Sequence, residues 1–255
     1  MPYVERLGAP RLYYEVAGDP RRQPIVLIEG LGGDVTGWRR NVPHLAAELF
    51  VVAYDHRGCG RSDPAGEPTT MATYADDLLA VLDELRIPRA HAYGQSFGGA
   101  VVIELALSHP DRVRSAIIAA THPGSRHAVP ASGRAPKHEP WRQRYSPAFA
   151  EAHPDLVRED RELGGRRSRT GERRQWDAMR AWDAYDRLGR VTVPVLVLHG
   201  SQDQLVHPDN ATLLAGAIPG AELAIFDGAG HAYHLEQAER ADDVVLDFVR
   251  RHRDR

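Results

Sequence analysis

The feature that most constrains this chain is Gly94-Gln95-Ser96-Phe97-Gly98, set between a short apolar run, Ala90 to Tyr93, and a helix-like stretch, Gly99 to Leu107. Small residues on both sides of a serine permit a sharp strand-to-helix turn, because neighbouring backbones can approach where no Cβ intervenes. Such an elbow lifts the hydroxyl clear of a sheet. It also puts Ser96 at a helix N-terminus, where unpaired N–H groups and the helix dipole favour negative charge developing on a bound carbonyl oxygen. With 9 serines and 23 glycines among 255 residues, about 0.07 such matches arise by chance, so the surroundings have to decide.

Those surroundings read as an α/β chain. Tyr3 to Val16 alternates around Gly8-Ala9-Pro10 as a starting antiparallel hairpin. Six short apolar runs follow as buried-strand candidates: Ile25 to Ile28, Val51 to Tyr54, Ala90 to Tyr93, Ala116 to Ala119, Val195 to Leu198 and Leu223 to Phe226. Between them, apolar residues recur at three- and four-residue spacing over Trp38 to Leu49, Tyr74 to Leu85, Gly98 to Ser108, Asn210 to Ala217 and Gln237 to Arg250, which predicts helices. The expected fold is a mostly parallel twisted sheet with helices on both faces. Right-handed crossovers gather the loops after the strands at one edge of such a sheet. Two of these loops carry polar residues that matter, Asp203 in His199-Gly200-Ser201-Gln202-Asp203 and His231 in Gly228-Ala229-Gly230-His231.

The order serine, acid, histidine, each just beyond a strand, resembles the α/β-hydrolases, and among them the small esterases and lactonases close to the 3-oxoadipate enol-lactonase-like group. The matching segments are the elbow, Glu29 to Asp34, Tyr54 to Asp63, His199 to Asp203 and Gly228 to His231. The likeness spans most of the chain and is weakest over 121–190, where this family inserts a variable cap that shapes substrate choice. The resemblance implies a catalytic domain formed by 1–120 and 191–255, an inserted cap or lid over 121–190, and hydrolysis of a small carboxylic ester or lactone.

The chemistry asks for these residue types. A serine hydroxyl is a poor nucleophile near neutral pH, so a base, His231, must take its proton, and a carboxylate, Asp203, must fix the tautomer and stabilise the imidazolium. Asp227 is the rival acid. The other histidines among the 13 are incidental by expectation, and His234 and Glu236 are read as the start of the terminal helix. An oxyanion needs two N–H donors; Phe97 supplies one, and the resemblance places the other at Leu31. Members of this family often carry His-Gly where this chain has Glu29-Gly30, and a carboxylate aimed at an oxyanion would oppose catalysis, so Glu29 should point away, be protonated or be paired, with Arg57 as the expected partner, unless it is a functional acid or base in a less usual reaction. The glycine-rich Asp55 to Ser62 segment reads as scaffold, since it lacks the order and the lysine of a phosphate loop.

Composition narrows the rest. A length of 255 residues suits one core and a small insertion, with no apolar stretch near the ~20 residues that span a bilayer and no signal-like N-terminus, so a cytoplasmic enzyme is expected. Cys59 is the only cysteine, which excludes an intrachain disulfide or cysteine metal cluster. The formal net charge of -3 points to neither nucleic acid nor an anionic membrane as partner, and no cofactor or metal is implied. Of 32 basic residues 31 are arginine, and many crowd Arg158 to Arg190, including Arg166, Arg167, Arg169, Arg173 and Arg174; they read as a solvated cap face or as a fork for a substrate carboxylate or phosphate. Trp141, Trp176, Trp182 and Tyr185 read as the cap's own packing or as an aromatic wall, and Pro123 to Pro147 as an irregular segment over the entrance. Thioester, carbon–carbon, perhydrolysis or lyase chemistry on the same scaffold stays open, as does a ligand receptor without turnover.

Overall fold

The computed structural model describes residues 2–65, 69–131, 143–163 and 169–253. Eight strands form one sheet: β1 (Tyr3–Val4), β2 (Leu12–Ala17), β3 (Pro24–Ile28), β4 (Phe50–Tyr54), β5 (Ala90–Gln95), β6 (Val113–Ala119), β7 (Val195–Gly200) and β8 (Glu222–Phe226). Their order is β1-β2-β4-β3-β5-β6-β7-β8. The opening hairpin pairs antiparallel, β2 runs antiparallel to β4, and every other neighbour pair is parallel.

The central strands are continuous apolar runs because both of their faces are covered. Along β3, Val26 and Ile28 enter one core while Ile25 and Leu27 enter the other, each fully buried. The first face is packed by α2 (Met71–Glu84), α3 (Phe97–Ser108) and α7 (Asp209–Ala217); the second by α1 (Val42–Leu45) and α9 (Ala238–Arg251), with the single turn α8 (Tyr233–Glu236) leading into α9. Between β6 and β7 the described residues include the α-helices α4 (Pro147–Ala152), α5 (Pro154–Leu163) and α6 (Arg169–Ala181). Among the described residues no helix is long and apolar enough to cross a membrane.

Element boundaries differ from the sequence expectation where caps intervene. The helix expected over Trp38 to Leu49 is one 3-10 turn, Val35–Trp38, followed by the four residues of α1, with Pro43 in its first turn, the place a residue without an N–H is tolerated. α2 begins three residues before the expected Tyr74, because Thr70 and Thr73 form a reciprocal capping box. The C-terminal ends of five parallel strands then converge, delivering the Glu29 loop from β3, Ser96 from β5, Thr121 and His122 from β6, Asp203 from β7 and His231 from β8.

Candidate active site

Ser96 follows β5 directly and caps α3 with φ 56 and ψ −115. A non-glycine residue rarely adopts this left-handed conformation, which costs on the order of 1–3 kcal/mol and persists only where the surroundings enforce it. Here they do. A Cβ on Gly94 would stand 2.1 Å from Gly98 O, and one on Gly98 would stand 2.1 Å from Ile28 O, so the turn closes only with glycine on both sides. The Ser96 amide is tied to Ala119 O at 2.8 Å. Its hydroxyl has no hydrogen-bond partner among the described residues and lines a cavity of about 640 Å³.

Asp203 and His231 come together at the wall of that cavity. Both are buried, and Asp203 Oδ2 accepts from His231 Nδ1 at 2.7 Å. Oδ1 accepts from the Leu205 and Val206 amides at 2.8 and 2.9 Å, which fixes the carboxylate in the turn after β7. Burial alone would push the Asp203 carboxyl up, but the charge of His231 and the hydrogen bonds from His199 and His231 outweigh it and hold the group well below the usual carboxylate range. With Nδ1 donating, His231 Nε2 is left as the acceptor. The histidine loop is secured to the elbow itself, since Gln95 Nε2 donates to His231 O at 2.9 Å. The Ser96 hydroxyl is not hydrogen-bonded to His231 in this conformation; in ligand-free sites such bonds are often long and tighten on binding.

The two expected oxyanion donors border the same cavity. Phe97 is the first residue of α3, where an N–H has no intrahelical partner, and Leu31 sits in the loop after β3. Within that loop Gly33 N is used by Gly30 O at 3.0 Å and Gly32 N by Gln175 Oε1 at 2.7 Å, whereas neither Leu31 nor Phe97 N–H has an acceptor among the described residues. Gln175, fully buried on α6, thus helps shape the loop from the inserted helices. Gly30 lies against the elbow, its would-be Cβ 3.2 Å from Ser96 Cβ.

Glu29 corrects one expectation. Among the described residues it pairs with Arg144, at 3.7 Å, and not with Arg57, whose guanidinium is taken up by the buried carboxylate of Asp77. The Glu29 side chain is folded under its own loop, in space that Gly33 and Gly37 leave by lacking a Cβ. Arg144 also bonds Asp160 at 3.0 Å, and Asp160 is bound in turn by Arg39 at 3.1 Å and by the Tyr145 hydroxyl. The exposed Asp227 carboxylate accepts from Ser201 Oγ at 3.1 Å and, among the described residues, does not meet His231. Asp55 serves its loop, accepting from Val35 and Arg61 amides at 2.8 and 2.7 Å.

The aromatic residues divide between the two expected roles. Trp182 is buried and donates its indole N–H to Glu104 at 2.8 Å, and Tyr185 packs on the same core, while Trp176 is half exposed and borders the cavity. Trp141, Arg166 and Arg167 lie outside the described residues. Sequence reasoning missed Arg144, Gln175, His199 and Glu236. Glu236 does more than open a helix: its carboxylate accepts from Gly230 N, Ser146 N and Ser146 Oγ at 2.9, 2.8 and 2.6 Å. The contacts of Arg144, Gln175 and Ser146 join segments far apart in sequence, which no local pattern announces, whereas those of His199 with Asp203 and of Glu236 with Gly230 are local.

Residues 23–238 match the family model for the alpha/beta hydrolase fold. The chain belongs to the α/β-hydrolase family. A protein of Azorhizobium caulinodans described as a carbamate hydrolase, RutD, is 33% identical, the match covering 97% of this chain and 98% of that one. The 3-oxoadipate enol-lactonase 2 of Acinetobacter baylyi is 27% identical over 94% of this chain and 93% of its own. Among solved structures, the enol-lactonase of Burkholderia xenovorans LB400 superposes with a TM-score of 0.87 at 28% identity, covering 97% and 99% of the two chains. This α/β-hydrolase is therefore an enzyme of hydrolytic, small-molecule chemistry, resembling the enol-lactonase-like group.

Proposed function

We propose that the protein is a serine hydrolase that cleaves a small carboxylic ester or lactone through an acyl-enzyme on Ser96. The observation that carries this reading is the 2.7 Å Asp203–His231 bond at the wall of the cavity that also holds Ser96 on its strained elbow. His231 Nε2 takes the hydroxyl proton as Ser96 Oγ attacks the carbonyl carbon, and Asp203 stabilises the imidazolium. The N–H groups of Leu31 and Phe97 receive the oxyanion. Collapse of the tetrahedral intermediate expels the alcohol, protonated by His231, and water activated by the same base then releases the acid.

The segment 121–190 acts as the cap of this site. It contributes Val157 and Met179 as apolar wall, with Leu205 facing them from the body. Arg144 is shared between Asp160 and Glu29, so it offers a substrate little net positive charge. With Arg161 also on the lining but three carboxylates, Glu29, Asp160 and Glu172, beside the two arginines, the site suits an uncharged acyl group better than the anionic substrate that the arginine-rich stretch would bind. The 33% identical relative described as a carbamate hydrolase favours a second reading, cleavage of a carbamate by the same machinery.

A panel of p-nitrophenyl esters, simple lactones and an aryl carbamate tests both readings. Ester or lactone turnover is expected, with Ser96→Ala losing on the order of 10⁶-fold in kcat and Asp203→Asn about 10⁴-fold. Preference for the carbamate would select the second reading. Undiminished turnover by Ser96→Ala would remove both.

A further inference from the structure

Two imidazoles approach Asp203, and the proposed chemistry uses only one of them. His199, the fifth residue of β7, is fully buried. Its Nε2 hydrogen-bonds Val206 O at 3.0 Å, and Asp203 Oδ2 stands at the same 3.0 Å beside it. A carbonyl oxygen can only accept, so Nε2 carries the proton and the tautomer of His199 is set. Asp203 Oδ2 thus receives the proton of His231 Nδ1 while facing the positive end of a second N–H dipole, and Oδ1 is already filled by two amides.

We infer that His199 is a positioning residue that fixes the Asp203–Val206 turn and, by sharing Oδ2, limits how strongly Asp203 stabilises the imidazolium of His231. The inference rests on the proposed function. Its first half follows from the peptide of Val206, held on both sides: the N–H goes to Asp203 Oδ1 and the carbonyl accepts from His199. Leu205 and Val206 also line the cavity, so the contact that places the acid also places part of the wall. The second half follows from electrostatics in a buried site, where a carboxylate oxygen that serves two donors attracts each less than it would attract one. With the His199 dipole gone, Asp203 pulls harder on the proton of His231, and the base stays protonated to higher pH. Among the described residues, Glu29, His122, Arg144, Asp160, Arg161 and Glu172 line the same cavity as His231, His234 on α8 interacts with its charge, and Glu236 binds the neighbouring Gly230 N–H.

The rate at which an aryl phosphonate labels Ser96, followed across pH with the labelled peptide identified by mass spectrometry, reads this base without needing the natural substrate. The acid limb of that profile is expected to move up by about half a pH unit to one unit in His199→Leu, which removes a single hydrogen-bond donor. In His199→Gln, whose amide N–H can stand near the Nε2 position, the limb should stay at the wild-type value. An unmoved limb in His199→Leu, or an equal shift in both variants, overturns the inference while leaving the proposed function intact. Failure of the wild-type protein to be labelled at Ser96 overturns the function and this inference with it. Should the leucine variant not fold, the nitrogen-15 shifts of histidine-labelled wild-type protein decide: a protonated Nε2 and bare Nδ1 on His199 are expected, and an Nδ1–H tautomer or an imidazolium would contradict the assignment.

Discussion

Ser96 shows how much a single φ angle can reveal. At φ 56 its backbone is strained by the presence of a Cβ, and glycine would be at ease there. Ser96→Gly should therefore be more stable than Ser96→Ala by about 1 kcal/mol, although both lack the hydroxyl. Urea unfolding of the two variants measures this, and equal stability would mean that the elbow stores no strain. Glu29 carries a second residue-scale expectation. A Cβ on Gly37 would come 2.6 Å from Glu29 Cδ, so Gly37→Ala should destabilise by about 1–3 kcal/mol through overpacking. In a Glu29→Ala background the added methyl finds room, and most of that cost should disappear. A double-mutant cycle reads the coupling, and additive costs would show that the carboxylate is not what fills the space.

At the scale of elements, α9 carries a buried carboxyl that should make stability fall as pH rises. Asp242 is fully buried, its Oδ1 accepts from Asn41 Nδ2 at 2.8 Å, and burial pushes its pKa up to about 8 despite that bond. The unfolded chain releases this proton near 3.8 and the folded one only near 8. Between these values the folded state binds the extra proton, so raising the pH across this window favours unfolding, by at most about 1.4 kcal/mol per unit. Asp242→Asn keeps the acceptor for Asn41 and removes the titration. Its melting temperature should gain on the wild type from pH 5 to pH 8, whereas a constant difference would show that Asp242 ionises normally. The elements themselves were largely legible, for a physical reason. Strands such as β3 and β7 are buried on both faces and so stand out as apolar runs, and α9 is marked by its apolar stripe. The stretch after Trp38 misled because apolar spacing continues there while the chain makes only one short helical turn at Pro43, as tertiary packing outweighs propensity.

For the whole molecule, the chain order of Ser96, Asp203 and His231 was legible because parallel topology brings loop ends to one edge, and the glycines that mark those loops are local signals. Arg144 and Ser146, which pair with Glu29 and Glu236, were not legible as partners, because they come from the segment between β6 and β7, far from both in sequence. Part of that segment is tied to the loop bearing His231. Arg144 O accepts from Ala232 N at 2.6 Å, and the Glu236 carboxylate gathers Ser146 N, Ser146 Oγ and Gly230 N, so residues 144–146 and the loop bearing His231 are held as one unit. Removing the carboxylate strands two amides and a hydroxyl, each costing about 1–3 kcal/mol where water cannot replace it. Glu236→Ala should thus loosen both partners at once. Hydrogen exchange is expected to quicken over 143–163 and around Gly230 while β5 and β6 keep their protection, and turnover should fall as His231 loses its support. Glu236→Gln, which retains one acceptor oxygen, should lie between. If exchange quickened only around Gly230 in Glu236→Ala, the inserted helices would be anchored elsewhere, and their docking would be independent of the histidine loop.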